Sequence, residues 1–317
     1  MAGDKRVYYG GQAVMEGVMI RGARSMAIAC RKPDGGIATK REELGSLYSG
    51  PWRRLPFIRG VIVLWETVAL GIRALTWSSN IALGVEEDED AGSEGGPVLG
   101  LAIVMLLIVG AIFFAGPLLL ASALHSLLGN DTLVVVVEGV IRLVAIIGYV
   151  GGIGFLPDVR RVYEYHGAEH KSIHALEAGD PLDAEHVQRH PTAHVRCGTS
   201  FLLTVVVVSV VVFAPIGNPD LWLRIVSRIV LIPVIASISY ELIRLGGAFE
   251  SNPITKVLMW PNLALQAITT KPCDDAQVEV ALAALNEVLT AEHELETTSP
   301  KVAAQAEAAL EAAPPLD

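Results

Sequence analysis

Four long stretches of this chain are apolar, and the polar residues are concentrated between them. The apolar stretches cover residues 97–120, 133–156, 200–216 and 222–245. A helix needs about 20 apolar residues to cross the hydrocarbon core of a bilayer. The pattern therefore predicts a polytopic α-helical membrane protein with about four transmembrane helices.

The distribution of Lys and Arg predicts the side of the membrane on which each connection lies. Residues 121–132 and 217–221 contain neither, whereas residues 1–59 and 157–199 are rich in both. Because basic loops stay in the cytoplasm, we expect a multi-pass protein of the cell inner membrane with both termini cytoplasmic. Membrane lipid is then the expected partner. Nucleic acid is not expected, and the pattern indicates no particular protein partner.

Residues 55–84 predict a further helix that lies at the membrane surface. Arg59, Glu66 and Arg73 recur there at seven-residue spacing, which places them on one stripe of a helix. A fifth span would move either residues 157–199 or the basic N-terminus to the outside. We therefore predict an interfacial amphipathic helix in this segment.

The first 54 residues predict a small β-rich cytoplasmic unit. Residues 25–32 and 37–41 have strand length and flank the turn sequence Pro33-Asp34-Gly35-Gly36, which predicts a β-hairpin. The pattern divides the rest of the chain into an acidic linker at 85–96, a first transmembrane hairpin at 97–156, a His-rich cytoplasmic loop at 157–199, a second transmembrane hairpin at 200–245, a cytoplasmic C-terminal segment at 246–289 that begins with a polar stretch, and a disordered tail at 290–317.

The overall composition agrees with a membrane protein whose thiols are reduced. Of the 317 residues, 52% are hydrophobic and 18% are charged, whereas soluble domains have about 25% charged residues. The three cysteines are too few, and odd in number, for a disulfide framework. We therefore expect free thiols that face the cytosol.

The densest polar cluster of the predicted cytoplasmic loop contains His166, Glu169 and His170. Side chains three and four residues apart share one face of a helix. Two imidazoles at this spacing can hold one divalent ion, with a carboxylate beside them as third ligand or general base. The order HxxEH also occurs in inverted zinc peptidases. The alternative is an exposed helix on which Glu169 pairs with Lys or Arg.

A second cluster lies just before the third predicted span and contains His194 and Cys197. Both side chains are competent ligands for zinc. Six of the eight histidines fall between positions 166 and 194, so both clusters belong to one loop and can meet in space. We therefore predict a divalent-metal site, with zinc as the expected ion, formed by His166, His170 and one or both of His194 and Cys197.

Charged residues also occur inside the predicted spans. Glu138 and Arg142 are four residues apart in the second span, and Arg224 and Arg228 lie in the fourth. Charge at this depth is costly and is normally paired. We predict a structural ion pair between Glu138 and Arg142 that Arg224 or Arg228 approaches. A proton or ion path is the alternative.

Four motifs, in this order along the chain, resemble the YqhQ-like family of bacterial membrane proteins, which is also seen in plastids. They are GGQAVMEGVMIRG, YHGAEHKSIHALEAG, HVRCGTSFL and LALQAITTKPCDDAQVEVALAAL. The family is described as predicted metal-dependent enzymes with no established substrate, so the resemblance implies a metal site. The family's marker residues correspond to Gly11, Gln12, Glu16, Gly17, Arg21, His166, Glu169, His170, Lys171, Arg196, Cys197, Gly198 and Thr199.

Three functions remain open at this point. The first is a metal-dependent hydrolase at the membrane, with an open zinc site and Glu169 as general base. The second is a non-catalytic assembly or scaffold protein with a closed structural metal site. The third and weaker one is an ion or metal transporter that uses Glu138. An inverted peptidase also needs a distant acidic ligand, and Glu241 reaches the site only if the chain bends near Pro157.

Overall fold

The computed structural model describes residues 9–45, 55–84, 104, 107–217, 219–249 and 252–297. Within these ranges the chain is mostly helical and has one small antiparallel sheet near its N-terminus. The predicted linker at 85–96, the first part of the predicted span at 97–120 and residues 298–317 of the predicted tail lie outside the described residues.

The sheet is a four-stranded antiparallel meander in the order β1-β2-β3-β4. Its strands are β1 (Gly10–Val14), β2 (Gly17–Arg21), β3 (Ser25–Arg31) and β4 (Ile37–Glu43). At the turn between β3 and β4, Gly35 has a φ of 87°, a conformation that glycine adopts at little steric cost. The β-structure and the hairpin predicted for this region are confirmed.

Helices cover both faces of this sheet. Leu70 and Ala74 of α1 (Ile58–Ala82) pack on one face, against Met26 and Ile28. The other face packs on α5 (Pro157–Ala178) and α11 (Asp275–Thr297). Because successive strand residues point to opposite faces, β3 is apolar at nearly every position. The sheet is therefore part of a larger core and not a separate unit.

Two helices are long and apolar enough to cross a membrane, and a bent pair adds a third candidate. The two are α4 (Asp131–Ile153) and the helix at Thr199–Ile216, which consists of α7 (Thr199–Phe213) and one 3-10 turn. The bent pair is α8 (Leu221–Val230) and α9 (Ile232–Ala248), with a bend of 45° where Pro233 cannot continue the hydrogen-bond ladder of α8.

The described part of the first predicted span is shorter than a full crossing. It forms α2 (Leu107–Ala123), which contains a π-helical turn at Ala111–Ala115 and leads into α3 (His125–Leu128). Two to three spans are thus supported among the described residues, and the predicted fourth is not established there.

Helix α1 is amphipathic, as predicted, and its charged stripe faces the protein. Arg59 pairs with Glu241 of α9, and Glu66 pairs with Arg21 of β2. The opposite face is apolar and exposed, at Ile58, Val61, Trp65, Val68, Ile72 and Leu75. Their spacing of three and four residues makes one continuous stripe. The outward face of α1 is therefore its apolar face.

The C-terminal segment differs from its prediction in two respects. Residues expected to form a polar stretch make α10 (Pro253–Thr269), which exposes Ile254, Val257, Leu258 and Trp260. The disordered tail was predicted to begin at residue 290, but α11 (Asp275–Thr297) continues past that position. Within it, Glu292 is buried and accepts hydrogen bonds of 2.7–2.8 Å from the backbone N–H groups of Arg24 and Ser25 and from the Ser25 hydroxyl.

Candidate metal centre

Helix α5 carries most of the candidate site. Pro157 occupies its first turn, where the missing N–H costs nothing. Its apolar residues Tyr165, Ala168 and Ile173 lie in the core that covers the sheet. Gly167 permits a close approach of the chain between α10 and α11, since a Cβ there would lie 2.1 Å from the Lys271 carbonyl oxygen. This approach brings the end of α10 to the histidine face of α5.

His166, His170 and Cys197 form a compact group of possible metal ligands. One ligand atom from each lies within 4.8 Å of the others. The two imidazole rings are 4.4 Å apart between centroids, and Cys197 Sγ is 3.3 Å from His166 Nε2. Three nitrogen and sulfur donors at this separation match the ligands that zinc prefers.

Backbone carbonyl groups orient both imidazoles of this group. His166 Nδ1 lies 2.9 Å from the Thr269 oxygen, and His170 Nδ1 lies 2.5 Å from the Thr192 oxygen. A carbonyl oxygen only accepts, so each Nδ1 carries the hydrogen and each Nε2 keeps its lone pair. Partners of this kind fix the tautomer of metal-binding histidines. Both Nε2 atoms are therefore available to a cation.

Gln266 of α10 secures the loop that presents Cys197. Its side chain accepts a 2.8 Å hydrogen bond from the backbone N–H of His194 and donates one of 2.9 Å to the His194 carbonyl. Gln266 is completely buried. Gln266 lies within the last of the four family motifs, but the sequence predicted no role for it. The contact joins residues 72 positions apart, and the only available signal was a polar residue in the apolar pattern of α10.

Glu169 is buried beside the three-ligand group. Its side chain lies against the Gly11 backbone of β1, where a Cβ would approach the carboxylate to 3.1 Å. Its Oε2 atom is 3.5 Å from His170 Nε2. The alternative of an exposed helix on which Glu169 pairs with Lys or Arg is wrong, because only 4% of this residue is exposed.

Burial shifts the protonation of all four groups toward the neutral form. Desolvation lowers the pKa of His166 and of His170 to about 4, and for His166 the neighbouring His170 lowers it further. Desolvation also raises the pKa of the Cys197 thiol to about 11 and raises the pKa of Glu169. The imidazole lone pairs are thus free at neutral pH, and a bound cation would favour loss of the thiol proton.

His194, predicted as a ligand of the same ion, belongs to a second group with His174 and Glu177. One ligand atom from each of these lies within 4.8 Å of the others. The His194 ring is 4.6 Å from that of His174 and 5.7 Å from that of His170, so the two groups adjoin. The other carboxylate oxygen of Glu177 pairs with Arg196. His174 and Glu177 follow His166 and His170 at intervals of four and three residues, so they lie on the same face of α5. This spacing could have predicted the second group from the sequence.

The other residues marked by the family motifs surround the three-ligand group and tie neighbouring elements together. The side chain of Gln12 lies against Gly71 of α1. The guanidinium Nε of Arg21 donates to Glu66 at 2.6 Å, and Glu16 pairs with Arg161. Lys171 donates to the backbone and the side chain of Gln188 at 2.8 Å, and Arg196 pairs with Glu177.

A cavity of about 370 Å³ opens beside the three-ligand group. Glu169, His170 and Cys197 line one part of it, with Gln12 and Arg21 from the sheet. Val63, Leu64, Phe201, Tyr240 and Ile243 line another part, between α1, α7 and α9. The group is therefore accessible to a bound molecule from the side of Glu169.

The charged residues of the candidate spans form a separate buried cluster. Glu138 of α4 contacts both Arg142 and Arg228, each at 2.6 Å. Arg142 Nε also donates to the Phe113 carbonyl at 3.0 Å. Pro117 lies four residues beyond Phe113 and has no N–H to donate to it. The guanidinium of Arg228 lies 4.2 Å from the centre of the Phe213 ring.

Glu241 and Arg224 lie outside both clusters. Glu241 accepts hydrogen bonds from the Arg59 guanidinium and from the Phe57 backbone N–H. Glu241 is therefore paired with Arg59 of α1, and it is not the distant acidic ligand of an inverted peptidase. Arg224 donates to the Ser122 hydroxyl at 2.7 Å, which leaves Arg228 as the arginine of α8 that reaches Glu138.

Similar proteins cover nearly the whole chain. A family model described as "Protein of unknown function (DUF1385)" matches residues 55–291. The chain is 35% identical over 295 residues to "Uncharacterized protein YqhQ" of Bacillus subtilis (strain 168), an alignment that covers 90% of this chain and 93% of that protein. No solved structure matches this chain.

Proposed function

This chain belongs to the DUF1385 family, and from that premise we propose that it is an inner-membrane protein that acts as a metal-dependent hydrolase at the cytoplasmic membrane face. The observation that carries the proposal is the convergence of His166, His170 and Cys197 beside a buried carboxylate and an accessible cavity. Metal sites that only stabilise a fold are usually closed by four protein ligands.

The donor set suits an open zinc site. Two imidazole nitrogens and one thiol sulfur provide three ligands, the number common in catalytic zinc sites. His194, which would close the coordination sphere, is in contact with His174 and Glu177 instead. His170 and Cys197 line the cavity, so a substrate atom or water could reach an ion that they hold.

Glu169 is the residue we propose as general base. A divalent ion, when bound, supplies Lewis-acid chemistry and makes water more acidic. Glu169 lines the cavity and is next to His170, so its carboxylate can accept a proton from an attacking water. Burial raises the pKa of this carboxyl above that of an exposed glutamate, which makes the ionised carboxylate a stronger base.

A structural metal site is the second candidate, and one observation favours it. The His194 ring is only 5.7 Å from that of His170, so a small movement of its loop would add a fourth ligand. A site closed in this way would serve a scaffold or assembly protein. The two candidates differ in whether His194 holds the ion.

Metal analysis of variants tests the proposal. We expect one zinc ion per purified chain, and we expect the double change His166→Ala/His170→Ala to remove it. The control is His186→Ala, since His186 pairs with Asp183 at the surface. Stoichiometric zinc in the double variant would refute the site.

Glu169→Gln then separates catalysis from structure. In a hydrolase this change retains zinc and abolishes cleavage of a panel of lipid esters, amides and phosphoesters, because only the base is lost. In a scaffold it changes little, whereas His194→Ala releases the metal. Retention of zinc and of full cleavage activity in Glu169→Gln would refute the role as base.

The proposed topology has four spans, with both termini cytoplasmic and residues 121–132 outside. Impermeant thiol labelling of intact cells should modify His125→Cys and miss Glu185→Cys, both in a Cys273→Ser background because Cys273 is only partly buried. Glu185 is exposed, so failure to label it reflects its side of the membrane. The reverse labelling pattern would overturn the topology.

A further inference from the structure

We propose that the cavity binds a single-chain lipid amphiphile, with its apolar chain between α1 and α9 and its polar group beside Glu169. The proposal deepens the proposed function and rests on it for the chemistry at the polar end. It commits to a substrate class, namely a long-chain acyl ester or amide.

The lining of the cavity combines an apolar set and a polar set of side chains. Val63, Leu64, Phe201 and Ile243 of α1, α7 and α9 are aliphatic or aromatic. Glu169, His170 and Cys197 belong to the candidate metal centre. A lining of this kind matches a ligand with a long apolar part and a small polar part. A water-soluble polar substrate would leave the apolar wall uncovered.

The charged residues of the wall are already paired, which argues against a highly charged head group. The Arg21 guanidinium is bound to Glu66 at 2.6 Å, and Glu66 is only 2% exposed. Arg196 is likewise paired with Glu177. The polar end therefore offers hydrogen bonds and the proposed metal ligands, without an excess of positive charge for a phosphate.

The apolar lining residues lie on helices that also present apolar surfaces to the outside. Phe201 belongs to a helix apolar enough to cross a membrane, and Ile243 belongs to the bent pair. The outer face of α1 exposes the apolar stripe that contains Trp65, which is 62% exposed. Val63 and Leu64 lie on the inner side of that same helix, so a single helix separates the apolar lining of the cavity from the apolar outer surface.

The size of the cavity favours one chain over two. At about 370 Å³ it lies near the lower limit of ligand pockets, which hold roughly 300–1,000 Å³. The backbones of α1 and α9 also approach closely at Gly60, where a Cβ would lie 2.7 Å from the Ser237 Cα atom. This close packing limits the width of the passage between the helices.

Photocrosslinking with a long-chain fatty acid that carries a diazirine in its chain tests the proposal. The full-length protein, purified in detergent, should form adducts on the cavity side of α9, at Tyr240 and Ile243. Leu64→Trp fills the cavity and should reduce these adducts at least tenfold. Val68→Trp makes the same change on the outer face of α1, where Val68 is exposed, and should leave them unchanged.

Measurement of zinc in the same samples keeps the two proposals apart. Equal α9 labelling in Leu64→Trp and in the unmodified protein would overturn the lipid proposal, whatever the zinc content. Labelling that Leu64→Trp abolishes would support it even in protein without zinc, where the proposed function fails. Ile243→Trp serves as a second cavity-filling variant if Leu64→Trp does not fold. Competition by a short-chain, water-soluble ester as strong as that by a long-chain ester would also overturn it.

Discussion

Two buried polar clusters of this protein differ in whether their members satisfy one another. In the candidate spans, Glu138 lies between the guanidinium groups of Arg142 and Arg228. At the candidate metal centre, His166, His170 and Cys197 present lone pairs to one another. The first cluster contains charges of both signs. The second consists of lone-pair donors and has no Lys or Arg among its three members.

This difference separates a structural role from a binding role. A buried ion pair is costly to break, because removal of one partner leaves the other charged and dry. A cluster of neutral ligands gains little from its own contacts and much from an ion. The saturated state of Glu138 also favours the structural interpretation of that cluster over an ion path.

Loss of the central carboxylate should have the largest effect. Glu138→Gln leaves two buried guanidinium groups without a carboxylate to pair with, so we expect the free energy of unfolding in detergent to fall by about 3–5 kcal/mol. Asp131→Asn is the matched control, since Asp131 lies on the same helix and is exposed. An unchanged melting temperature for Glu138→Gln would show that water reaches the cluster.

The metal centre should respond to pH in the zinc-free protein. The pKa of His166 and of His170 falls from 6.5 to about 4 on folding, so the unfolded chain binds more protons between these values. The contribution of these two histidines to the free energy of unfolding is therefore fully present above pH 6.5 and is lost as the pH falls toward 4. One histidine accounts for about 3 kcal/mol, at 1.36 kcal/mol per pKa unit.

Denaturant titrations of chelator-treated protein from pH 7 to pH 4 measure this loss. His166→Ala/His170→Ala should remove most of the pH dependence, and the exposed control His186→Ala should retain it. A stability that stays constant across this range would mean that the two imidazoles are solvated.

A third buried carboxylate sharpens the comparison, because protein N–H and O–H groups satisfy it completely. Glu292→Ala leaves the donors at Arg24 and Ser25 without their acceptor, and we expect a loss of about 1–3 kcal/mol with or without zinc. Glu294→Ala, which removes an exposed pair with Arg41, should cost less than about 1 kcal/mol. Thermal melting measures both, and a zinc-dependent loss for Glu292→Ala would contradict this account.

The smallest expected effect concerns the support of Cys197. Its sulfur lies 3.1 Å from the Thr199 hydroxyl. Because outer partners orient metal ligands, Thr199→Val should weaken zinc binding about tenfold. Thr204→Val, farther along the same helix, is the control, and competition with a chelator measures both affinities. Equal affinities would show that the hydroxyl does not position the sulfur.

The sequence predicted those helices and turns that depend only on residues close together in the chain. The apolar runs of α4 and α7 and the Pro33-Asp34-Gly35-Gly36 turn depend on neighbouring residues, and the structure has helices and a hairpin there. The orientation of α1 could not be predicted in the same way. Its charged stripe was recognised, but Arg21 and Glu241, which turn the stripe inward, are distant in sequence.

The candidate site shows the same limit. The spacing of His166 and His170 on one helix made their convergence predictable, and the return of the loop to the next span brought Cys197 near them. The sequence carried no signal for the burial of Glu169 against Gly11, a contact between an N-terminal strand and α5. Nor could it show that Gln266 holds the His194 backbone and thereby directs its ring to the second group.

The contact between Glu292 and β3 joins the beginning of the chain to its last described helix, so the sheet can be fully packed only late in synthesis. The first strands emerge early, yet one face of their sheet packs on α11, near the end of the described chain. The apolar face of the sheet that packs on α11 therefore stays uncovered until every candidate span has been synthesised. Since β1 of this sheet also lies against Glu169, we expect the surroundings of the candidate metal centre to become fully packed only after α11 has been synthesised.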